Sequence, residues 1–92
     1  MADNPDFERE LAQLIQLLDK AGDEHWASYF RMTLDKYRRG NRRASFSHFL
    51  GAFGGMGSFN DRFFNTLSDH EVSQLAKISD NLWDFCKSEM SY

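Results

Sequence analysis

Phe7, Leu11, Leu14, Ile15 and Leu18 follow one another at spacings of 4, 3, 1 and 3 residues, which places all five on one face of a helix. A strand cannot gather them, because its successive side chains point to opposite faces. The preceding residues carry matching start signals. Asn4 can act as N-cap, Pro5 suits the first helical position because its missing N–H costs nothing there, and Asp6, Glu8 and Glu10 favour the positive end of the helix dipole. Gly22 ends the pattern, and Asp23 can cap a second helix along Trp26, Tyr29, Phe30, Thr33, Leu34 and Tyr37, stopped by Gly40-Asn41. A shorter third helix is expected from near Ser45, with Phe46, Phe49, Leu50 and Phe53 on one side. Ser68-Asp69-His70-Glu71 matches a capping box, and Val72, Leu75, Ala76, Ser79, Leu82, Trp83, Cys86 and Met90 trace a last helix. Trp26 and Trp83 both fall on apolar stripes, so both are expected to be buried. With no alternating strand pattern and no repeat, the expected fold is all-α. It is a compact four-helix domain over residues 1–92, with a Gly-rich connection between the third and fourth helices.

Ninety-two residues suit one small core, and nine Phe with two Trp supply large apolar surfaces for it. The net charge of -3 weighs against nucleic acid as a partner, since phosphates demand a basic excess. Cys86 is the single cysteine and cannot form an internal disulfide. The opening MADNPDFERELAQ lacks the cationic and apolar regions of a secretory signal, and no apolar stretch reaches the ~20 residues that cross a bilayer. A cytoplasmic protein without membrane contact is the expectation.

The connection reads FGGMGSFND, Phe53 to Asp61. One reading is a turn: Gly54 caps the third helix with φ > 0, Met56 and Phe59 plug the core, and Ser58, Asn60 or Asp61 bond backbone amides. Two other readings are a partner-binding loop and a nest of amides for a small anionic ligand. Phosphate loops add a lysine and open a helix, whereas here no Lys follows, Asp61 adds negative charge and the glycines close a helix. The turn reading is therefore preferred.

A second feature is KYRRGNRR, which puts Lys36, Arg38, Arg39, Arg42 and Arg43 within eight residues. Cations at the C-terminal end of the second helix would complement its dipole by about 0.3–1 kcal/mol each. Read as a binding patch, the cluster suits a folded acidic partner, because Tyr37 is its only aromatic and base stacking needs more. His25, His48 and His70 lie on three different helices without ligand spacing to one another or to Cys86. Ser58 lacks a nucleophile elbow, and Asp80 and Asp84 sit one turn apart as on any acidic helix face. No catalytic residue, metal or cofactor is expected.

From Leu17 to Asp61, about half the chain, the sequence resembles a family of small bacterial proteins of unknown function. The resemblance rests on LLDKAGDEHWASYF, HFLGAF and above all GGMGSFND, in that order. The family pattern continues after the aspartate with an extended element of the Leu-Val-Leu kind, where this chain has Arg62-Phe63-Phe64. The resemblance implies a fold and a bacterial source but no mechanism. By analogy with other small acidic bacterial proteins, the expected function is a non-enzymatic protein-interaction module, such as an immunity-type inhibitor of a toxin. The expected binding residues are Gly54, Gly55, Met56, Gly57, Ser58, Phe59, Asn60 and Asp61 of the loop, with Arg38, Arg39, Arg42 and Arg43. The alternative is a small-ligand or nucleotide-binding sensor that uses the Gly-rich loop.

Overall fold

The computed structural model describes residues 5–53 and 67–90. They form four helices: α1 (Pro5–Lys20), α2 (Glu24–Arg38), α3 (Arg42–Gly51) and α4 (Asp69–Met90). No strand occurs among the described residues. The protein is an all-α, four-helix domain.

The two short links are built on glycines with φ of 76° at Gly22 and 88° at Gly40. At each, the glycine amide bonds back to the carbonyl three residues earlier, and the next amide to the carbonyl five residues before it. These are Gly22 to Asp19 with Asp23 to Leu18, and Gly40 to Tyr37 with Asn41 to Lys36. This Schellman arrangement satisfies the last helical carbonyls and reverses the chain within two residues. An added Cβ at Gly40 would meet nothing within 4 Å, so the cost of a side chain there is backbone strain alone. Gly40→Ala should therefore lower stability by about 1–2 kcal/mol, measured by thermal melting, while Gly40→Asn should recover part of the loss.

The starts of α1, α2 and α4 follow the sequence signals. α1 begins at Pro5. The Asp23 carboxylate accepts from the Trp26 amide at 3.2 Å. The capping box closes in both directions: the Glu71 amide donates to Ser68 Oγ at 3.1 Å, and the Ser68 amide to Glu71 Oε1 at 2.9 Å. The proposed cap Asn4 and the whole 54–61 motif, with its φ expectation at Gly54, lie outside the described residues, as does the segment at Arg62-Phe63-Phe64. α3 departs from expectation at both ends. It begins at Arg42 instead of near Ser45, and its C-cap is Ala52 in the right-handed region rather than Gly54. The Schellman turn leaves Asn41 already placed to start a helix, so the chain re-enters one at once.

Neighbouring helices run antiparallel. Arg38, at the end of α2, pairs with Glu8 near the start of α1; Lys20, at the end of α1, pairs with Glu71 near the start of α4. Each helix packs on its chain neighbours, and α4 returns to close the ring against α1. At the end where α1 begins, all four helices contribute one aromatic ring. Phe7 lies 4.8 Å from Tyr37, 5.3 Å from Phe46 and 5.4 Å from Phe85 between centroids. Trp26, Phe30, Phe49 and Phe53 continue the aromatic core toward the other end. α4 buries Leu75, Ile78, Ser79, Leu82 and Cys86. Val72, Ala76 and Trp83, which the sequence stripe included, are exposed instead, with Trp83 at 37%. Ile78 carries the core contact on the stripe's other edge, so the stripe is rotated and Trp83 moves to the bundle's margin. There the Lys87 ammonium covers its ring at 5.5 Å.

Candidate functional site

The α2–α3 hairpin collects two groups of polar side chains, one outside and one inside. The outer group is the basic cluster. Arg38 and Arg39 close α2, Arg42 and Arg43 open α3, and the Gly40 turn brings the two pairs to one corner of the bundle. Arg38 Nε lies 3.2 Å from Glu8, and Arg39 Nε lies 3.1 Å from Asp35. Both pairs are largely exposed, a setting in which an ion pair contributes about 0–1 kcal/mol. The Arg42 guanidinium stands 5.3 Å above the buried Tyr37 ring, which packs in turn on Phe7. Arg43 is exposed.

The α2 dipole therefore favours Lys36 and Arg38 but not Arg42 and Arg43. Arg38 sits in the last turn of α2, where a cation is favoured. Arg42 and Arg43 sit in the first turn of α3, which contains no acidic residue and whose N-cap, Asn41, makes no side-chain capping bond. Cations there face the positive end of the helix and are disfavoured by about 0.3–1 kcal/mol each at low salt. The sequence could not separate the two cases, because both depend on where α3 starts.

The inner group is a polar seam between α2 and α3. Tyr29 donates its hydroxyl to the His48 carbonyl at 2.5 Å, and the two rings stack at 4.0 Å and 17°. Thr33 Oγ1 lies 2.7 Å from His48 Nδ1, and Ser45 Oγ donates to the Thr33 carbonyl at 2.7 Å. Burial, with Lys36 adding like-charge repulsion, holds the His48 imidazole below its ordinary pKa, and burial raises the Tyr29 phenol. The helical period could assign Tyr29 and Thr33 to the inner face but not pair them with Ser45 and His48, because that pairing depends on the register of α3.

The remaining candidates for chemistry stay apart. His25 and His70 are exposed, as are Asp80 and Asp84. Cys86 is fully buried, its thiol pushed up to about 12 by burial and then by the Glu89 charge. Among the described residues, no group of three or more His, Cys, Asp or Glu could hold a metal ion. An open groove of about 240 Å³ between α1 and α4 is lined by Gln13, Gln16, Leu17, Lys20 and Gln74. It falls short of the roughly 300–1,000 Å³ and the apolar lining usual for small-molecule pockets. Of the predicted site residues, Arg38, Arg39, Arg42 and Arg43 come together. Gly54, Gly55, Met56, Gly57, Ser58, Phe59, Asn60 and Asp61 lie outside the described residues. The last described residue before them, Phe53, follows α3, whose ten residues put about 15 Å between it and the arginine corner.

Fold and corner together define a small helical domain with a charged hairpin. Residues 19–73 match the model of the family described as Domain of unknown function (DUF6966), and because the match spans more than half of the chain, the protein belongs to that family. The match contains the whole α2–α3 hairpin, including the arginine corner and the polar seam. No curated protein and no solved structure matches the chain. Among the described residues, no helix is long and apolar enough to cross a membrane.

Proposed function

We propose that the protein is a non-enzymatic interaction module, of the kind that includes immunity-type inhibitors of bacterial toxins, acting in the cytoplasm on a folded acidic partner. The supporting observation is the placement of Arg42 and Arg43 in an uncapped first turn of α3. Helix electrostatics disfavours cations there, so their presence favours a role outside the fold. Arg42 is also steadied over Tyr37, and a guanidinium held in place loses less entropy when it forks onto a carboxylate. The rest of the chain is acidic enough to bring the net charge to -3, which favours an acidic protein surface over a polyphosphate.

The test separates binding from folding. In the double variant Arg42→Glu with Arg43→Glu, the gain of about 0.3–1 kcal/mol for each acidic residue in the first turn is offset by the lost contact of Arg42 on Tyr37, so thermal stability should stay within about 1 kcal/mol of the parent. The same double variant should lose the stoichiometric protein partner that the unaltered chain retains in pull-downs from its host. If the variant keeps the partner, the corner is not the binding face. Retention of nucleic acid or a metabolite by the unaltered chain, with no protein partner, would replace the reading by a nucleic-acid or small-ligand function.

A further inference from the structure

The outer edge of the α2–α3 contact differs from the rest of the surface in relief and in charge. Tyr29, Met32 and Lys36 follow at i, i+3 and i+7 along α2, and Ala44, His48 and Gly51 at i, i+4 and i+7 along α3. The Tyr29–His48 stack joins the two rows, so they border one groove floored by that ring pair. Met32 is 55% exposed, against 37% for Val72 and Trp83. On the α3 side, Ala44 and Gly51 are exposed and carry almost no side chain. An added Cβ at Gly51 would stand 3.0 Å from the Tyr29 hydroxyl oxygen, so glycine lets the tyrosine lean onto α3 and leaves the backbone bare outside. Each row runs about 10 Å, or two helical turns.

The charge beside this groove is basic. α3 holds no acidic residue from Arg42 to Gly51. On α2, Asp35 is paired with Arg39, and Glu24 lies in the first turn, at the end away from the corner. Lys36 belongs to the α2 row itself, and Arg43 directly precedes Ala44 at the head of the α3 row. A segment laid in the groove therefore meets a thioether and bare helix along its middle, and cations at its corner end.

We propose that the groove seats an amphipathic helix of the partner, with its apolar face on Met32 and its acidic residues toward Lys36, Arg42 and Arg43. This rests on the reading of the corner as a face for an acidic protein, and names the element that the corner receives. Charge complementarity selects the acidic flank. Shape selects the helix: the described residues offer no strand edge for an extended peptide to join, whereas a trough between two antiparallel helices takes the ridge of a third. Methionine suits the anchor position, because its unbranched, polarisable side chain adapts to whatever surface covers it.

Site-specific cross-linking tests the proposal. Cys86 is fully buried with its thiol pushed up to about 12, so a photoreactive maleimide will attach to an introduced cysteine and leave Cys86 untouched. The label goes on Met32→Cys, with Asp84→Cys as the control, since Asp84 is exposed on α4, across the ring of helices from α2. In host extract, the protein that the unaltered chain retains should cross-link from Met32→Cys and not from Asp84→Cys. The linked peptide should carry an apolar face flanked by Asp or Glu at helical spacing. Met32→Gln and Ala44→Gln, both at exposed positions, should melt with the parent and retain several-fold less of that protein, while Asp84→Gln retains it fully. A retained protein that depends on Arg42 and Arg43 but does not link from Met32→Cys, or is held equally by Met32→Gln and Ala44→Gln, overturns the groove and leaves the corner reading standing. A linked peptide that is basic, or whose apolar residues alternate as in a strand, does the same. A chain that retains no protein, or one indifferent to Arg42→Glu with Arg43→Glu, overturns the corner reading and this proposal with it.

Discussion

Phe7→Ala should be among the most damaging single changes in this protein, costing about 3–5 kcal/mol. Phe7 is 1% exposed and touches one aromatic ring from each of the other three helices. Removing it leaves a void bordered by Tyr37, Phe46 and Phe85, and those rings belong to separate helices, so no one of them can shift to fill the space without dragging its helix. Domains of this size have total stabilities of about 5–15 kcal/mol and lose about 4–8 °C in Tm for each kcal/mol removed. The variant should therefore melt far below the parent or be unfolded at room temperature. The ring cluster also underlies the functional corner, because Tyr37 carries Arg42 on one side and packs on Phe7 on the other. Phe7→Leu should keep most of the stability while disturbing the seat of Tyr37. A Phe7→Ala protein that melts with the parent would mean that the four-ring cluster is not the centre of the fold.

Helix number, the short links and two caps were readable from the sequence because each depends on local chemistry. Glycine at Gly22 and Gly40, the Asp23 carboxylate and the Ser68–Glu71 box act within five residues of chain. What could not be read depended on register. The first stripe needed no correction, since Phe7, Leu11, Leu14, Ile15 and Leu18 are all buried. On α4 the apolar residues cover a wider arc, and only contact with α1 and α3 selects which part of that arc turns inward. The sequence puts the start of α3 three residues late because Arg42 and Arg43 look like the tail of α2's charged end, and a Schellman turn can hand one helix to the next without a loop. That shift changes the reading of the candidate site, because it moves two arginines from a favourable helix terminus to an unfavourable one. The His48 seam was invisible for the same reason: a lone histidine on a short helix gives no sign of which neighbour it faces.

The two tryptophans should differ in how much stability the same substitution removes. Trp26 is 6% exposed, packed against Phe30 at 5.9 Å and Tyr29 at 5.1 Å, and Trp26→Ala should cost about 3–5 kcal/mol. Trp83 is 37% exposed, with Lys87 above its ring. Trp83→Ala should forfeit the contact of the ring's covered part and a cation–π interaction of roughly 0.5–1 kcal/mol, together about 1–3 kcal/mol and less than at Trp26. Fluorescence gives an independent reading of the same asymmetry. In Trp83→Ala the remaining indole is Trp26, and its emission should be blue-shifted until the protein unfolds. In Trp26→Phe, which retains an aromatic ring in the core, the remaining indole is Trp83, and its emission should lie closer to that of tryptophan in water. Equal losses of stability from Trp26→Ala and Trp83→Ala would place both rings in the core and return α4 to the orientation that its sequence stripe suggests. Unequal losses with the larger at Trp26 fix the rotation of α4 about its axis, and with it the face that Leu75, Ile78, Leu82 and Cys86 present to the other three helices.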